Sequence, residues 1–249
     1  MSGRRISKLH FYWILVMTGV YTFYHCIIVI AGSFLASKKR ALVDKQLFNW
    51  SKHLLGLVKV RVNVIGLENM PQKGDRPIIV MCNHSSLYDI PISAVALNTS
   101  LRMLAKKELY RIPVFSAALR RGEFLSIDRQ NREQSVKDLQ IAKEKMLDGI
   151  ILWVAPEGTR SRDGKVAPFK RGAFHVALDT GALIVPLAIK DIHKVQSGKD
   201  LTLYIDQDIE VEVCKPVDAT QYSADERRKL VDTVRNKIIE ALEHEKEAA

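Results

Sequence analysis

Cysteine is scarce and scattered: Cys26, Cys82 and Cys214 are the three in the chain, and none stands in a CxxC pair. An odd set at such separations supports neither a disulfide framework nor a zinc site, so buried thiols in a reducing compartment and no metal ligands are expected. No GxSxG elbow is present, which removes the usual seat of a serine hydrolase nucleophile. No zinc-finger or RNA-binding signature occurs either, so nucleic acid is not an expected partner. Internal repeats and low-complexity linkers are also missing, which favours one folded domain over an array. The longest absence is of charge: residues 9–37 contain no Asp, Glu, Lys or Arg. A run of that length fits one transmembrane helix of about 20 residues, or two short helices lying within one leaflet. Tyr12 and Trp13 near its start suit the membrane interface. A signal peptide would have a shorter apolar part, about 7–15 residues, followed by a cleavage site. The expectation is a membrane-anchoring helix or helical hairpin.

Charge of both signs is plentiful elsewhere, with 38 Lys and Arg against 28 Asp and Glu and a net charge of +10. Such a balance points to an anionic partner: nucleic acid, acidic lipid headgroups, a phosphorylated substrate or an acidic carrier protein. Arg4, Arg5 and Lys8 precede the apolar run and Lys38, Lys39 and Arg40 follow it. The positive-inside rule is therefore balanced, and basic clusters on both sides suit a hairpin with its ends on one anionic face.

Beyond the anchor, Leu47, Trp50, Leu54 and Leu55 recur at helical spacing in residues 44–58. Residues 58–64 alternate strictly, as a half-buried strand does. Residues 77–82 form a continuous apolar run, the pattern of a central strand. Further runs lie at 101–105, 123–127, 150–155, 183–189, 201–205 and 209–214. Between them, residues 134–147 read as a helix with Val136, Leu139, Ala142 and Met146 on one side. Ser223 and Glu226 form a capping box that opens a last helix whose stripe is Leu230, Val231, Val234, Ile238 and Leu242. Strands alternating with helices imply an α/β domain with a mixed, mostly parallel sheet flanked by helices. Its expected bounds are residues 56–249, after an anchor and amphipathic link at 1–55.

Chemistry concentrates where two of these strands end. His84 and Asp89 follow the 77–82 strand within NHSSLYD. A carboxylate five residues on can fold back, fix the imidazole tautomer and leave the other ring nitrogen as a base. A His and an Asp at this separation are common by chance, so the pair needs support from elsewhere. That support comes after the 150–155 strand, in Pro156, Glu157, Gly158, Thr159, Arg160, Ser161 and Arg162. Glycine permits close approach of backbone to ligand, and guanidinium forks suit bidentate phosphate binding. Between the two loops, residues 102–132 carry an excess of Lys and Arg that reads as a basic face near the site.

With these residues the sequence resembles the 1-acylglycerol-3-phosphate acyltransferase family, the bacterial lysophosphatidic acid acyltransferases. His84 through Asp89 resembles the family's first motif and GEFLSIDR at 122–129 its second. Glu157 through Arg160 resembles the third, and Val185-Pro186 the fourth; AKKEL at 105–109 and PFKRGA at 168–173 also match. Ala155 departs from the family, which more often has Phe there, and the second motif is one residue longer than its commonest form. The resemblance implies a mixed α/β fold, a role in phospholipid synthesis and an N-terminal hairpin dipping into one leaflet. It implies transfer of a fatty acyl group from acyl-CoA or an acyl carrier protein thioester, with no other cofactor, to the sn-2 hydroxyl of lysophosphatidic acid. His84 would be the base and Asp89 its support. Glu157, Gly158 and Thr159 would belong to the acceptor-binding turn, and Arg160, Arg129, Lys106 and Lys170 would bind the phosphate. The expected setting is the inner membrane with the catalytic domain on its cytoplasmic face. Rival readings are another lysolipid as acceptor, or a thioesterase using Cys82 beside His84, since the two would share one face of a strand.

Overall fold

The computed structural model describes residues 4–35, 39–72, 74, 76–128, 130–161, 163–196 and 202–243. The uncharged run forms one continuous helix, α1 (Lys8–Leu35), rather than two short ones, and it is long and apolar enough to cross a membrane. Next comes α2 (Lys39–Leu57). A short strand β1 (Arg4–Arg5) precedes α1 and pairs antiparallel with β8 (Tyr204–Ile205).

The remaining strands are β2 (Arg61–Ile65), β3 (Ile78–Cys82), β4 (Leu101–Lys106), β5 (Leu125–Ile127), β6 (Ile151–Val154), β7 (Leu183–Ile189), β9 (Asp208–Val213) and β10 (Val217–Asp218). The helices between and after them are α3 (Asp89–Leu97), α4 (Pro113–Arg121), α5 (Arg132–Leu147), α6 (Gly172–Thr180) and α7 (Arg227–Glu243). The sheet runs β2-β9-β7-β3-β6-β4-β5, with β10 also on β7. From β7 to β5 all neighbours are parallel, while β9 and β10 meet β7 antiparallel.

Alternation along the central strands separates two cores. Ile78, Val80 and Cys82 of β3, with Ile151 and Trp153 of β6, pack toward α1, α2 and α3 through Ile14, Leu55 and Ile92. Ile79 and Met81, with Leu152 and Val154, pack toward α5, α6 and α7 through Met146, Phe174 and Leu230. Strands covered on both faces have no polar side to show, which is why they read as unbroken apolar runs. Val136 is the exception to the α5 stripe: it is exposed, while Ala142 and Met146 are buried. The capping box at the start of α7 is formed, with Ser223 N–H donating to Glu226 and Glu226 N–H donating to Ser223 Oγ.

Helix α1 lies along the domain rather than apart from it. Its first half contributes Ile14 to the core, and Cys26 and Val29 pack with Ala118 of α4. Its end is held by Arg121, which donates to Ser33 Oγ and sits 4.3 Å over the Phe34 ring. Polar pairs join α1 to α2: His25 meets Gln46 and His53, and Trp50 donates to Thr22. The opposite face, including Tyr12, Trp13, Val16, Val20 and Phe23, is exposed.

Candidate active site

β3 and β6 are parallel neighbours, with Met81 opposite Val154, so the loops leaving their carboxyl ends start side by side. Such ends are where open α/β sheets place their ligands. His84 follows β3 and Glu157 follows β6.

Asp89 opens α3, and its carboxylate folds back over the loop before it. Its Oδ2 accepts from His84 Nδ1 at 2.6 Å and from the N–H groups of Ser85 and Ser86 at 3.0 and 3.1 Å. An ionised carboxylate only accepts, so Nδ1 carries the proton and Nε2 keeps its lone pair. The Asp89 side chain is fully buried, whereas that of His84 is 19% exposed. Three donors and the positive end of α3 offset the burial of this charge.

The backbone of His84 is held as well. Its N–H donates to Glu157 Oε1 at 2.7 Å, and its carbonyl accepts from Ser161 N–H at 2.7 Å. Glu157 Oε2 accepts from Ala167 N–H at 2.9 Å. Burial pushes the Glu157 carboxyl above its ordinary pKa, opposed by the N–H groups of Ala167 and His84. Asn83 braces the same loop from the other side: its amide donates to and accepts from the Ile189 backbone, tying β3 to β7. No role for Asn83 was read from sequence, although a polar amide directly after a fully apolar strand was a usable signal.

Gly158 has φ +76°, a left-handed conformation that favours glycine, and a Cβ there would lie 2.7 Å from Lys170 Nζ. Lys170 therefore crosses the turn that Gly158 makes. Thr159 and Arg160 follow and are exposed, one position before Ser161 engages His84. Lys106 ends β4, level with Asn83 by register but with β6 between β4 and β3, about 10 Å away at ordinary strand spacing. Its ammonium is 3.5 Å from Glu108. Arg129 and Arg162 lie outside the described residues.

The basic face expected from residues 102–132 is not one surface. Arg102 is fully buried near the start of β4, the end of the sheet away from His84, and pairs with Asp44 of α2 at 2.7 Å. Lys107 pairs with Asp128, Arg120 lies over Tyr110, and Arg121 faces α1. Sequence proximity grouped cations that the sheet sends to opposite ends.

Cys82 has no access to substrate. It is fully buried, burial pushes its thiol well above the ordinary range, and Sγ donates to the Asn83 carbonyl at 3.0 Å. A cavity of about 140 Å³ lies between the domain and the N-terminal helices, walled by Ile90, Met103, Ala105 and Phe124 with Cys26 and Val43. Ile90, one of its walls, directly follows Asp89 in sequence.

The family model described as Acyltransferase matches residues 61–190, which include both loops. The chloroplastic 1-acyl-sn-glycerol-3-phosphate acyltransferase BAT2 of Brassica napus is 30% identical over 182 residues, 73% of this chain and 51% of that protein. The alpha form of the mouse 1-acyl-sn-glycerol-3-phosphate acyltransferase is 28% identical over 190 residues, 76% of this chain and 65% of that protein. The chain spans about half the length of the plant relatives it matches. The crystal structure of the 1-acyl-sn-glycerophosphate acyltransferase PlsC from Thermotoga maritima superposes with a TM-score of 0.76 at 31% identity, covering 94% of this chain and 93% of that one. Matched by the family model over more than half its length, and sharing one fold with a solved member, the chain belongs to the Acyltransferase family.

Proposed function

We propose that this protein transfers a fatty acyl group from an acyl thioester to the sn-2 hydroxyl of 1-acylglycerol-3-phosphate, giving phosphatidic acid. The observation that carries the reading is the buried Asp89 carboxylate on His84 Nδ1, which leaves Nε2 as a base at the open end of the sheet. Nε2 takes the hydroxyl proton as the oxygen attacks the thioester carbonyl. The C–O bond forms, the C–S bond breaks, and the leaving thiolate regains a proton from the imidazolium. No acyl-enzyme is needed. Arg160, on its exposed turn, is the proposed ligand of the phosphate, with Lys170 beside Gly158; Thr159 lies on the same turn, and Arg129 and Lys106 complete the proposed set.

The cavity beside Ile90 is lined mostly by apolar side chains, which suits an alkyl chain better than a polar group. The donor is acyl-CoA or an acyl carrier protein thioester. Residues 1–55 serve as the anchor and 56–249 as the catalytic domain. With both ends of α1 held on the domain and its outer face apolar and exposed, the helix beds into one leaflet rather than crossing it. The basic residues Arg4 and Arg5 suit an anionic cytoplasmic leaflet of the inner membrane.

The test is acyl transfer by the purified full chain in lipid vesicles. Labelled palmitoyl-CoA and a palmitoyl carrier protein are each offered with lysophosphatidic acid. Phosphatidic acid made by wild type and lowered about 10²–10⁴-fold by His84→Ala supports the reading. Acylation of another lysolipid instead keeps the chemistry and corrects the acceptor; thioester hydrolysis without any acceptor overturns the transferase. Arg160→Ala should raise KM about 10–100-fold for the phosphorylated acceptor and leave that for the donor unchanged.

A further inference from the structure

The geometry points to Glu157 as a positioning residue that fixes the backbone of His84, acting through the base and not as a ligand of the acceptor. The inference rests on the proposed role of His84. Glu157 is 4% exposed, and each carboxylate oxygen is already engaged by a main-chain N–H, Oε1 by His84 at 2.7 Å and Oε2 by Ala167 at 2.9 Å. A carboxylate so enclosed has no face to offer a glycerol hydroxyl, and it would repel a phosphate.

Its position follows from the sheet. Extending the parallel register of Met81 with Val154 past the strand ends sets His84 beside Glu157. There the strand ladder has ended, and the carboxylate supplies one of the links between the loops. One side chain thereby joins three segments: the end of β3, the end of β6 and the chain at Ala167. Ser161 N–H on the His84 carbonyl closes the bracket from the other side. Asp89 and Glu157 divide the work. Asp89 holds the ring through Nδ1, whereas Glu157 holds the main chain from which the ring projects. A base aims at one hydroxyl only if both are fixed, because misplacement by about 1 Å costs on the order of 10²-fold in rate.

Glu157→Gln is nearly isosteric but presents an amide N–H₂ to one of the two main-chain donors, so one bond is lost. The experiment compares wild type, Glu157→Gln, His84→Ala and the double variant in vesicles with palmitoyl-CoA and lysophosphatidic acid. Glu157→Gln should lower kcat by about 10²-fold and leave KM for lysophosphatidic acid unchanged. On the His84→Ala background it should cost nothing further, since a residue that acts through the base has nothing left to position. A ligand of the acceptor gives the opposite pattern: KM rises, and the losses multiply in the double variant. Either result overturns the inference while leaving His84 in place. Full turnover by His84→Ala overturns the base itself and the role of Glu157 with it. Should Glu157→Gln fail to fold, Glu157→Asp carries the same comparison. It keeps the charge but is one methylene too short to reach both N–H groups, so wild-type turnover in that variant also overturns the inference.

Discussion

Arg102, fully buried at the start of β4, pairs through Nη1 with Asp44 of α2 at 2.7 Å. The contact joins a helix from the N-terminal segment to the interior of the sheet domain. Ser100 donates to the same carboxylate at 3.0 Å, and the guanidinium lies 5.6 Å from the centre of the Phe124 ring. A buried cation is tolerated only with a partner, so α2 docks where this charge requires it.

Asp44→Ala should therefore destabilise the protein by about 3–5 kcal/mol, the cost of leaving a buried charge unpaired. Replacing both partners, with Arg102→Met added, should recover most of the loss. Chemical unfolding in detergent measures both, and a double variant no better than Asp44→Ala would contradict this account.

Asp89→Asn tests the charge behind the base. Oδ2 takes all three donors, so an Asn oxygen in its place keeps the bonds from His84 Nδ1, Ser85 and Ser86 but brings no negative charge to stabilise the imidazolium that forms when Nε2 takes a proton. Turnover should fall by about 10⁴-fold with circular dichroism unchanged, as for other His–Asp pairs. Activity within tenfold of wild type would argue against the dyad.

Cys82→Ala separates transfer from thiol chemistry. The thiol is fully buried and hydrogen-bonded to the Asn83 carbonyl, so turnover should persist while stability drops by about 1 kcal/mol through the lost packing. Abolished turnover in a folded variant would revive a cysteine nucleophile.

Acid should loosen the joint between α2 and the domain. Glu123 accepts from Arg40 and Lys145, and chiefly the Arg40 hydrogen bond lowers its pKa from 4.5 to about 2. A depressed carboxylate pKa stabilises the folded state fully above its unfolded value, and that contribution fades as pH falls through the folded one. The melting temperature should thus drop between pH 4.5 and 2, and Glu123→Gln should flatten this part of the curve at the cost of stability at neutral pH.

Much of this protein was legible in one dimension. Unbroken apolar runs at 78–82, 151–154 and 183–189 suit short strands covered on both faces, and the structure has them at the centre of the sheet. Ser223 and Glu226 announced the start of α7, because a capping box is a contact between neighbours in sequence. His84 and Asp89 were readable for the same reason: five residues of loop are short enough to bring carboxylate and ring together.

What escaped the sequence depends on partners far apart along it. Glu157 reaches His84 across 73 residues and Arg102 reaches Asp44 across 58, and nothing in local spacing distinguishes those side chains from solvated ones. The basic cluster at 102–132 looked like one face because neighbours in sequence were taken as neighbours in space. A strand instead carries its two ends about 3.3 Å per residue apart, sending Arg102 to one end of the sheet and Lys106 to the other. The sequence by itself determined which segments are strands, where an apolar helix lies and which loops carry reactive groups, because these follow from short-range periodicity and residue chemistry. Only tertiary structure decided which carboxylate holds which donor and how the N-terminal helices seat on the sheet, because those choices are made by burial, which obliges each polar group to find a partner wherever the fold brings one.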